Sequence, residues 1–240
     1  MKFRDYQIEI IDKSHTVLEA HRFVYLSMEV RTGKTLTAMG VATKLGIKNL
    51  LFVTKKKAIS SISADYKKLN PKYDLTVINY ESLHKVEGEF ELMVLDEAHT
   101  LGAYPKPSKR TKLIKQMISK QKPYVILMSG TPTPESFSQM YHQVYACPSS
   151  PFKHHVSFYK FAKSILDEMK PYMISYTQKE AGFKSQIKEH VLKVKMSDLT
   201  YRFVKEMREH SVIEGKKTDD AILGDTGVKK MSKIHQLFSG

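Results

Sequence analysis

Phe23-Val24-Tyr25-Leu26-Ser27-Met28-Glu29-Val30-Arg31-Thr32-Gly33-Lys34-Thr35 decides how the rest of the chain is read. Four apolar residues run into a polar stretch ending Gly-Lys-Thr, and the segment Thr35 to Leu45 that follows suits a helix. Strand, glycine-bearing turn and helix in that order form the context a phosphate-binding loop requires. Backbone N–H groups at a helix N-terminus bind phosphate oxygens. Lys34 places a cation against the β- and γ-phosphates, and the Thr35 hydroxyl is a Mg²⁺ ligand. The loop departs twice from G-x-x-x-x-G-K-[ST]: Met28 stands at the first glycine, and Arg31 where a small residue is common. By itself a Gly-Lys-Thr triplet is equally an ordinary helix start.

Working outward, the alternation repeats. Leu50-Leu51-Phe52-Val53, Leu75-Thr76-Val77-Ile78, Leu92-Met93-Val94-Leu95 and Tyr124-Val125-Ile126-Leu127-Met128 are short apolar runs. Such runs read as strands buried on both faces, as in a parallel sheet. The segments between them, Ala58 to Leu69 and Lys109 to Lys120 among them, read as crossover helices. This is the pattern of a doubly wound α/β domain with a parallel sheet. Residues just after its strands lie at the carboxyl edge, where open α/β sheets bind ligands.

Three further motifs fall on this scheme. Asp96-Glu97-Ala98-His99 follows one apolar run. One carboxylate there can hold Mg²⁺ through its water shell, and a neighbour can orient and deprotonate an attacking water. Asp96 suits the first role and Glu97 the second. Ser129-Gly130-Thr131-Pro132 follows the next strand, where its hydroxyls could bond the acidic motif and report γ-phosphate loss. Near the amino terminus, Phe3-Arg4-Asp5-Tyr6-Gln7 offers an amide whose donor and acceptor match the N6/N7 edge of adenine. Each motif alone has a plain structural reading as a turn or a surface side chain. Their fixed order is what points to a nucleotide-hydrolysing motor.

Charge narrows the partners. Lys and Arg number 39 against 25 acidic residues, a net charge of +14. That field attracts polyanions, nucleic acid above all. Candidate contacts are Thr54, Lys55, Lys56, Lys57, Asn79 and Tyr80 after strands, with Lys106, Lys109, Arg110 and Lys112 after the acidic motif. For any single lysine, a solvated helix face is as good a reading. No run of about 18 apolar residues is present, and the start carries no secretory h-region. The single cysteine, Cys147, excludes an internal disulfide and a thiolate zinc site. A reducing cytoplasm and no membrane are the expectation.

Taken together, Phe3 to Gln7, Glu29 to Thr35, Val53 to Lys57, Val77 to Leu83, Asp96 to His99 and Ser129 to Pro132 carry a family resemblance. They resemble the motifs of the first RecA-like lobe of superfamily 2 helicases with an Asp-Glu-Ala-His (DEAH) box. Within these the chain is similar to Swi/Snf-type translocases and the smaller bacteriophage helicases of that kind. The resemblance implies a RecA-like P-loop NTPase lobe over 1–240, with a motif-bearing core at 1–134 and a family-specific part at 135–240. It implies ATP and Mg²⁺ as ligands, adenine recognition by Gln7, and phosphate binding by Arg31, Thr32, Gly33, Lys34 and Thr35. Thr35 and Asp96 would hold the metal, Glu97 would activate water with Lys34 and Asp96, and His99, Ser129 and Thr131 would couple hydrolysis to motion. Duplex DNA as partner, with RNA left open, and a bacterial or phage-infected cell follow from the same likeness.

Family members close the ATP site with arginines of a second RecA-like lobe, in a Gln-x-x-Gly-Arg-x-x-Arg motif that this sequence lacks. Such arginines are worth about 10³–10⁵ in rate. The expectation is therefore an N-terminal fragment that binds nucleotide, hydrolyses slowly and does not translocate alone. A nucleic-acid-binding module with a degenerate phosphate loop and the motor part of a restriction enzyme are the competing readings. Oligomeric state is not legible. Beyond Pro134, Glu135 to Tyr145 reads as a helix and His190 to Met196 as a strand. Ser197 to Thr200 reads as a capped helix start running to His210, and Glu214 to Lys230 as a mobile loop. His154-His155 has no metal-ligand partner at helical spacing.

Overall fold

A computed structural model describes residues 2–102, 107–132, 138–145, 147, 150, 152, 168–182, 195–210, 212–214, 221–223 and 227–239. In chain order its elements begin with α1 (Asp5–His21), β1 (Phe23–Met28), α2 (Lys34–Leu45), β2 (Asn49–Thr54), α3 (Ile59–Leu69) and β3 (Asp74–Asn79). They continue through β4 (Leu92–Leu95), α4 (Lys109–Gln121), β5 (Tyr124–Met128), α5 (Ser138–Tyr145) and β6 (Met173–Tyr176). The last are α6 (Asp198–His210), β7 (Val212–Glu214), β8 (Ala221–Leu223) and α7 (Gly227–Ser239).

The five apolar runs all form strands. In β1, β2, β4 and β5 nearly every side chain is buried, because these strands are interior and covered on both faces. With the partly exposed edge strands β3 and β6 they make one parallel sheet in the order β3-β2-β4-β5-β1-β6. This is the expected RecA-like doubly wound sheet. One apolar layer packs α1 and α2 on Val24, Leu26, Phe52 and Val94, and the other packs α4 and α5 on Tyr25, Leu51, Val53 and Leu127. Gly40 permits a close contact of α2 with α1, since a Cβ there would lie 2.3 Å from Ile11 Cδ1.

The topology builds one edge. β5 lies between β4 and β1, so the loops after these three strands are neighbours. At roughly 4.8 Å per strand, the ends of β4 and β1 stand about 10 Å apart, room for a phosphate chain. β6 lies beyond the expected motif-bearing core at 1–134 yet completes the same sheet next to β1.

By compactness the chain divides into two units, Met1–Gln186 and Ile187–Gly240. In the second, α6, the antiparallel pair β7–β8 and α7 enclose Val204, Met207, Ile213 and Ile234. The helix expected to run to His210 is present. The loop expected over Glu214 to Lys230 is corrected: β8 and the start of α7 fall within it. Three-residue strands are too short to show a period, and α7 is held by Ile234 and Leu237 beyond the polar stretch. Lys106, Pro134, His154-His155 and 190–194 of the expected strand lie outside the described residues, and Lys195 and Met196 belong to no element. Among the described residues no helix is long and apolar enough to cross a membrane.

Candidate active site

At the end of β1 the chain turns through the expected phosphate loop into α2, whose N-terminus carries no side-chain cap. Gly33 has φ +80, which strains any residue with a Cβ, and a Cβ there would lie 2.5 Å from Gln7 Nε2 and push that amide aside. Lys34 Nζ donates to Met28 O at 2.8 Å and to Glu29 O at 3.2 Å, folding back over its own loop. Burial lowers the Lys34 pKa, while the Asp96, Glu97 and Glu29 carboxylates oppose that shift. Thr32 is buried with its hydroxyl on Glu29 O at 2.7 Å. Thr35 is half-buried at the helix start. Arg31 is exposed and has φ 66, a left-handed conformation that costs a residue with a Cβ about 1–2 kcal/mol.

Gln7 is 4% exposed. Its Oε1 accepts from Arg4 N–H at 3.0 Å, and its Nε2 donates to Gly33 O at 3.4 Å. The amide thus touches the phosphate loop directly, a contact its sequence position does not announce.

Across β5, Asp96 leaves β4 with its N–H on Val53 O. Its Oδ2 accepts from Thr54 Oγ1 at 2.7 Å and its Oδ1 from Glu97 N–H at 3.0 Å. Burial raises the Asp96 pKa, the bond from Thr54 works against it, and the Glu97 charge adds to it. Glu97 adopts φ 51 and opens a 3-10 turn, Ala98–Leu101. Its Oε2 lies 3.2 Å from His99 Nδ1, and the same nitrogen is 2.9 Å from Ser129 Oγ. Ser129 Oγ in turn accepts from Thr131 N–H at 3.1 Å. A Cβ on Gly130 would stand 3.4 Å from Met28 O and 3.6 Å from Lys34 Nζ. The acidic motif, the Ser-Gly-Thr turn and the phosphate loop therefore meet.

Two of the expected nucleic-acid contacts are corrected. Thr54 is fully buried and serves Asp96, and Tyr80 is 4% exposed with its hydroxyl on Asp96 O at 2.5 Å. Both stand after a strand, but their side chains turn inward, where they support the acidic turn. Lys55, Lys56, Lys57 and Lys109 are exposed. Lys55 leans toward Glu97 at 3.9 Å, a partly exposed pair worth little in stability. Asn79 bonds Glu81, and Arg110 pairs with Glu81 at 2.7 Å while lying 4.8 Å over the Tyr80 ring.

Sequence reasoning missed a layer behind the motifs. Tyr25 donates to Gln143 Oε1 at 2.7 Å, and Gln143 Nε2 donates to Pro132 O at 2.9 Å, both side chains being fully buried. Burial drives the Tyr25 pKa far up, so it stays a neutral donor. A phenol within an apolar run was the available signal.

No cluster of three or more His, Cys, Asp or Glu forms a metal cage among the described residues. Asp96 after β4 and Thr35 at the start of α2 lie on the same sheet edge, and a carboxylate with a hydroxyl there suits Mg²⁺, which keeps waters and takes phosphates as ligands. The residues fit a magnesium nucleotide.

A profile of the SNF2-related domain matches residues 50–238. The chain belongs to the SNF2-related domain family. A profile of the type III restriction enzyme res subunit matches residues 1–78. No curated protein matches by sequence. The Sulfolobus solfataricus SWI2/SNF2 ATPase core in complex with dsDNA superposes with a TM-score of 0.62 at 16% identity, over 99% of this chain and 58% of that one. The Sulfolobus solfataricus SWI2/SNF2 ATPase core domain gives 0.59 at 16% identity, over 99% and 57%. At such identity the likeness is one of fold, and this SNF2-related domain spans less than two thirds of either structure. The fold is that of a superfamily 2 helicase-like first lobe.

Proposed function

We propose that this SNF2-related domain is the ATP-binding and ATP-hydrolysing lobe of a motor acting on duplex DNA, of the Asp-Glu-Ala-His type and phage-like. The observation that carries the reading is the meeting of Lys34, the Thr54-held Asp96 and the Glu97–His99–Ser129 cluster at one sheet edge. Lys34 would exchange Met28 O and Glu29 O for phosphate oxygens. Thr35 and Asp96 would hold Mg²⁺, which neutralises phosphate charge when bound. Glu97 would take the proton of the attacking water, with His99 orienting its carboxylate and passing the state of the site to Ser129 and Thr131. Adenine recognition by Gln7 would be felt at Gly33 through the bond already present. Lys55, Lys56, Lys57, Asn79, Lys109 and Arg110 would face the DNA backbone, where lysine and arginine contacts position rather than specify.

A second RecA-like lobe as partner and a cytoplasmic setting in a bacterial or phage-infected cell belong to the same proposal. The match of residues 1–78 to a restriction subunit supports a restriction motor as second reading. A nuclease or methyltransferase acting in the same assembly would distinguish it. The test is ATP binding and turnover by the chain, with and without single- and double-stranded DNA, beside Lys34→Ala. Binding that Lys34→Ala abolishes supports the reading, and turnover raised by duplex DNA supports the DNA partner. Absence of nucleotide binding sinks both.

A further inference from the structure

The carbonyls of the two residues flanking left-handed Arg31 are held from outside the phosphate loop. Val30 O, before it, accepts from Gln178 Nε2 at 3.0 Å. Thr32 O, after it, accepts from the Tyr6 hydroxyl at 3.0 Å. The same two segments grip the loop's entry and each other. Glu29 N–H donates to Tyr176 O at 3.0 Å, and Glu29 Oε2 accepts from Gln178 N–H at 2.8 Å. The Tyr6 and Tyr176 rings stack with centroids 4.6 Å apart and planes 15° from parallel. Glu180 braces the turn that presents Gln178, its Oε2 accepting from Thr177 N–H and from the Thr177 hydroxyl, each at 2.7 Å.

Resting on the nucleotide-binding reading, we infer that Gln178 is a positioning residue for the phosphate loop, clamping with Tyr6 the carbonyls of the residues that flank Arg31. A left-handed residue with a Cβ persists only where its surroundings over-determine it. Here the surroundings are α1 on one side and the turn after β6 on the other. The limb that Gln178 holds, Glu29-Val30, is also where Lys34 rests through Glu29 O. Loss of the Gln178 bond therefore falls on the limb that carries the Lys34 contact, away from Gly33 where Gln7 bonds. A glycine in place of Arg31 would hold positive φ unaided and need the clamp less.

The test is competition by ATP, ADP and adenosine against a fluorescent ATP analogue, using the whole chain. Gln178→Ala is expected to weaken ATP and ADP by roughly three- to tenfold, the span of one net hydrogen bond, and to leave adenosine unchanged. Gln178→Lys is expected to restore affinity, because an ammonium can donate to Val30 O. In an Arg31→Gly background the loss from Gln178→Ala is expected to shrink. Unchanged ATP affinity in Gln178→Ala, equal weakening of adenosine, or an undiminished loss beside Arg31→Gly overturns the inference alone, provided the parent chain binds ATP. A parent chain that binds no ATP overturns the nucleotide reading and this inference together. Should Gln178→Ala fail to fold, Tyr6→Phe removes the opposite bond and must show the same phosphate-selective loss.

Discussion

Arg31 and Glu97 stand on the same sheet edge with the same left-handed backbone, but the braces around them differ in reach. Glu97 is held by its neighbours. Its N–H bonds Asp96, its carbonyl accepts from Thr100 N–H at 2.9 Å, and its carboxylate meets His99. Arg31 sits in a turn that Thr32 N–H closes on Glu29 O at 3.4 Å, and the carbonyls of its neighbours Thr32 and Val30 are held by bonds that span 26 and 148 positions of chain. The acidic turn is thus completed by the β3-β2-β4-β5 part of the sheet, with Thr54 at the end of β2 and Tyr80 after β3 both bonding Asp96. The phosphate loop keeps its path only when α1 and the edge strand β6 are also docked. Local closure costs little chain entropy, whereas long-range braces are secured by the whole packed fold.

The largest expected effect breaks the local half chemically. Glu97→Gln should lower ATP turnover by about 10²–10⁴, the usual worth of a positioned general base, with ATP affinity retained. Phosphate release and nucleotide titration on one preparation measure both, and undiminished turnover would remove Glu97 from the chemistry. Next comes the layer behind it. Tyr25→Phe removes the buried phenol's bond to Gln143 Oε1 and should cost about 0.5–1.5 kcal/mol in urea unfolding. A negligible loss would mean that Gln143 finds another donor.

Asp96→Asn should act in the stabilising direction. Burial raises the Asp96 pKa in the folded chain, so its charge weighs against folding wherever the folded carboxyl is ionised. The variant should melt higher than the parent at about pH 8, while losing Mg²⁺-dependent nucleotide affinity. The gain should fade as pH drops through the raised folded value and be gone below about 4, where folded and unfolded chains are both protonated. Melting curves across that window check it, and a pH-independent gain would point away from charge burial. The smallest effect sharpens the distant half. Arg31→Gly relieves left-handed strain but adds unfolded-state entropy, so stability should move by less than about 0.5 kcal/mol. A larger loss by denaturant titration would show that the arginine side chain itself holds the loop.

The same contrast explains what could be read in advance. The interior strands were legible because burial on both faces leaves unbroken apolar runs. β6 was not, since Met173-Ile174-Ser175-Tyr176 is a partly exposed edge. α1 was hidden because its buried face mixes Gln7 and Ser14 with Ile10, Ile11 and Leu18, which blurs the helical stripe. In the site, the juxtaposition of Lys34, Asp96, Glu97, His99 and Ser129 followed from motifs set at strand ends. Thr54 and Tyr80 were misplaced because position after a strand does not tell which way a side chain turns.

What the sequence by itself determined is the set of strands, the order of the motifs and their common carboxyl edge, because each depends on a few consecutive residues. The tertiary structure alone decided that β5 separates β4 from β1, that Thr54 and Tyr80 serve Asp96, and that Tyr6 and Gln178 hold Arg31. Those outcomes rest on hydrogen bonds and packing between residues far apart in the chain, and such contacts leave no local pattern to read.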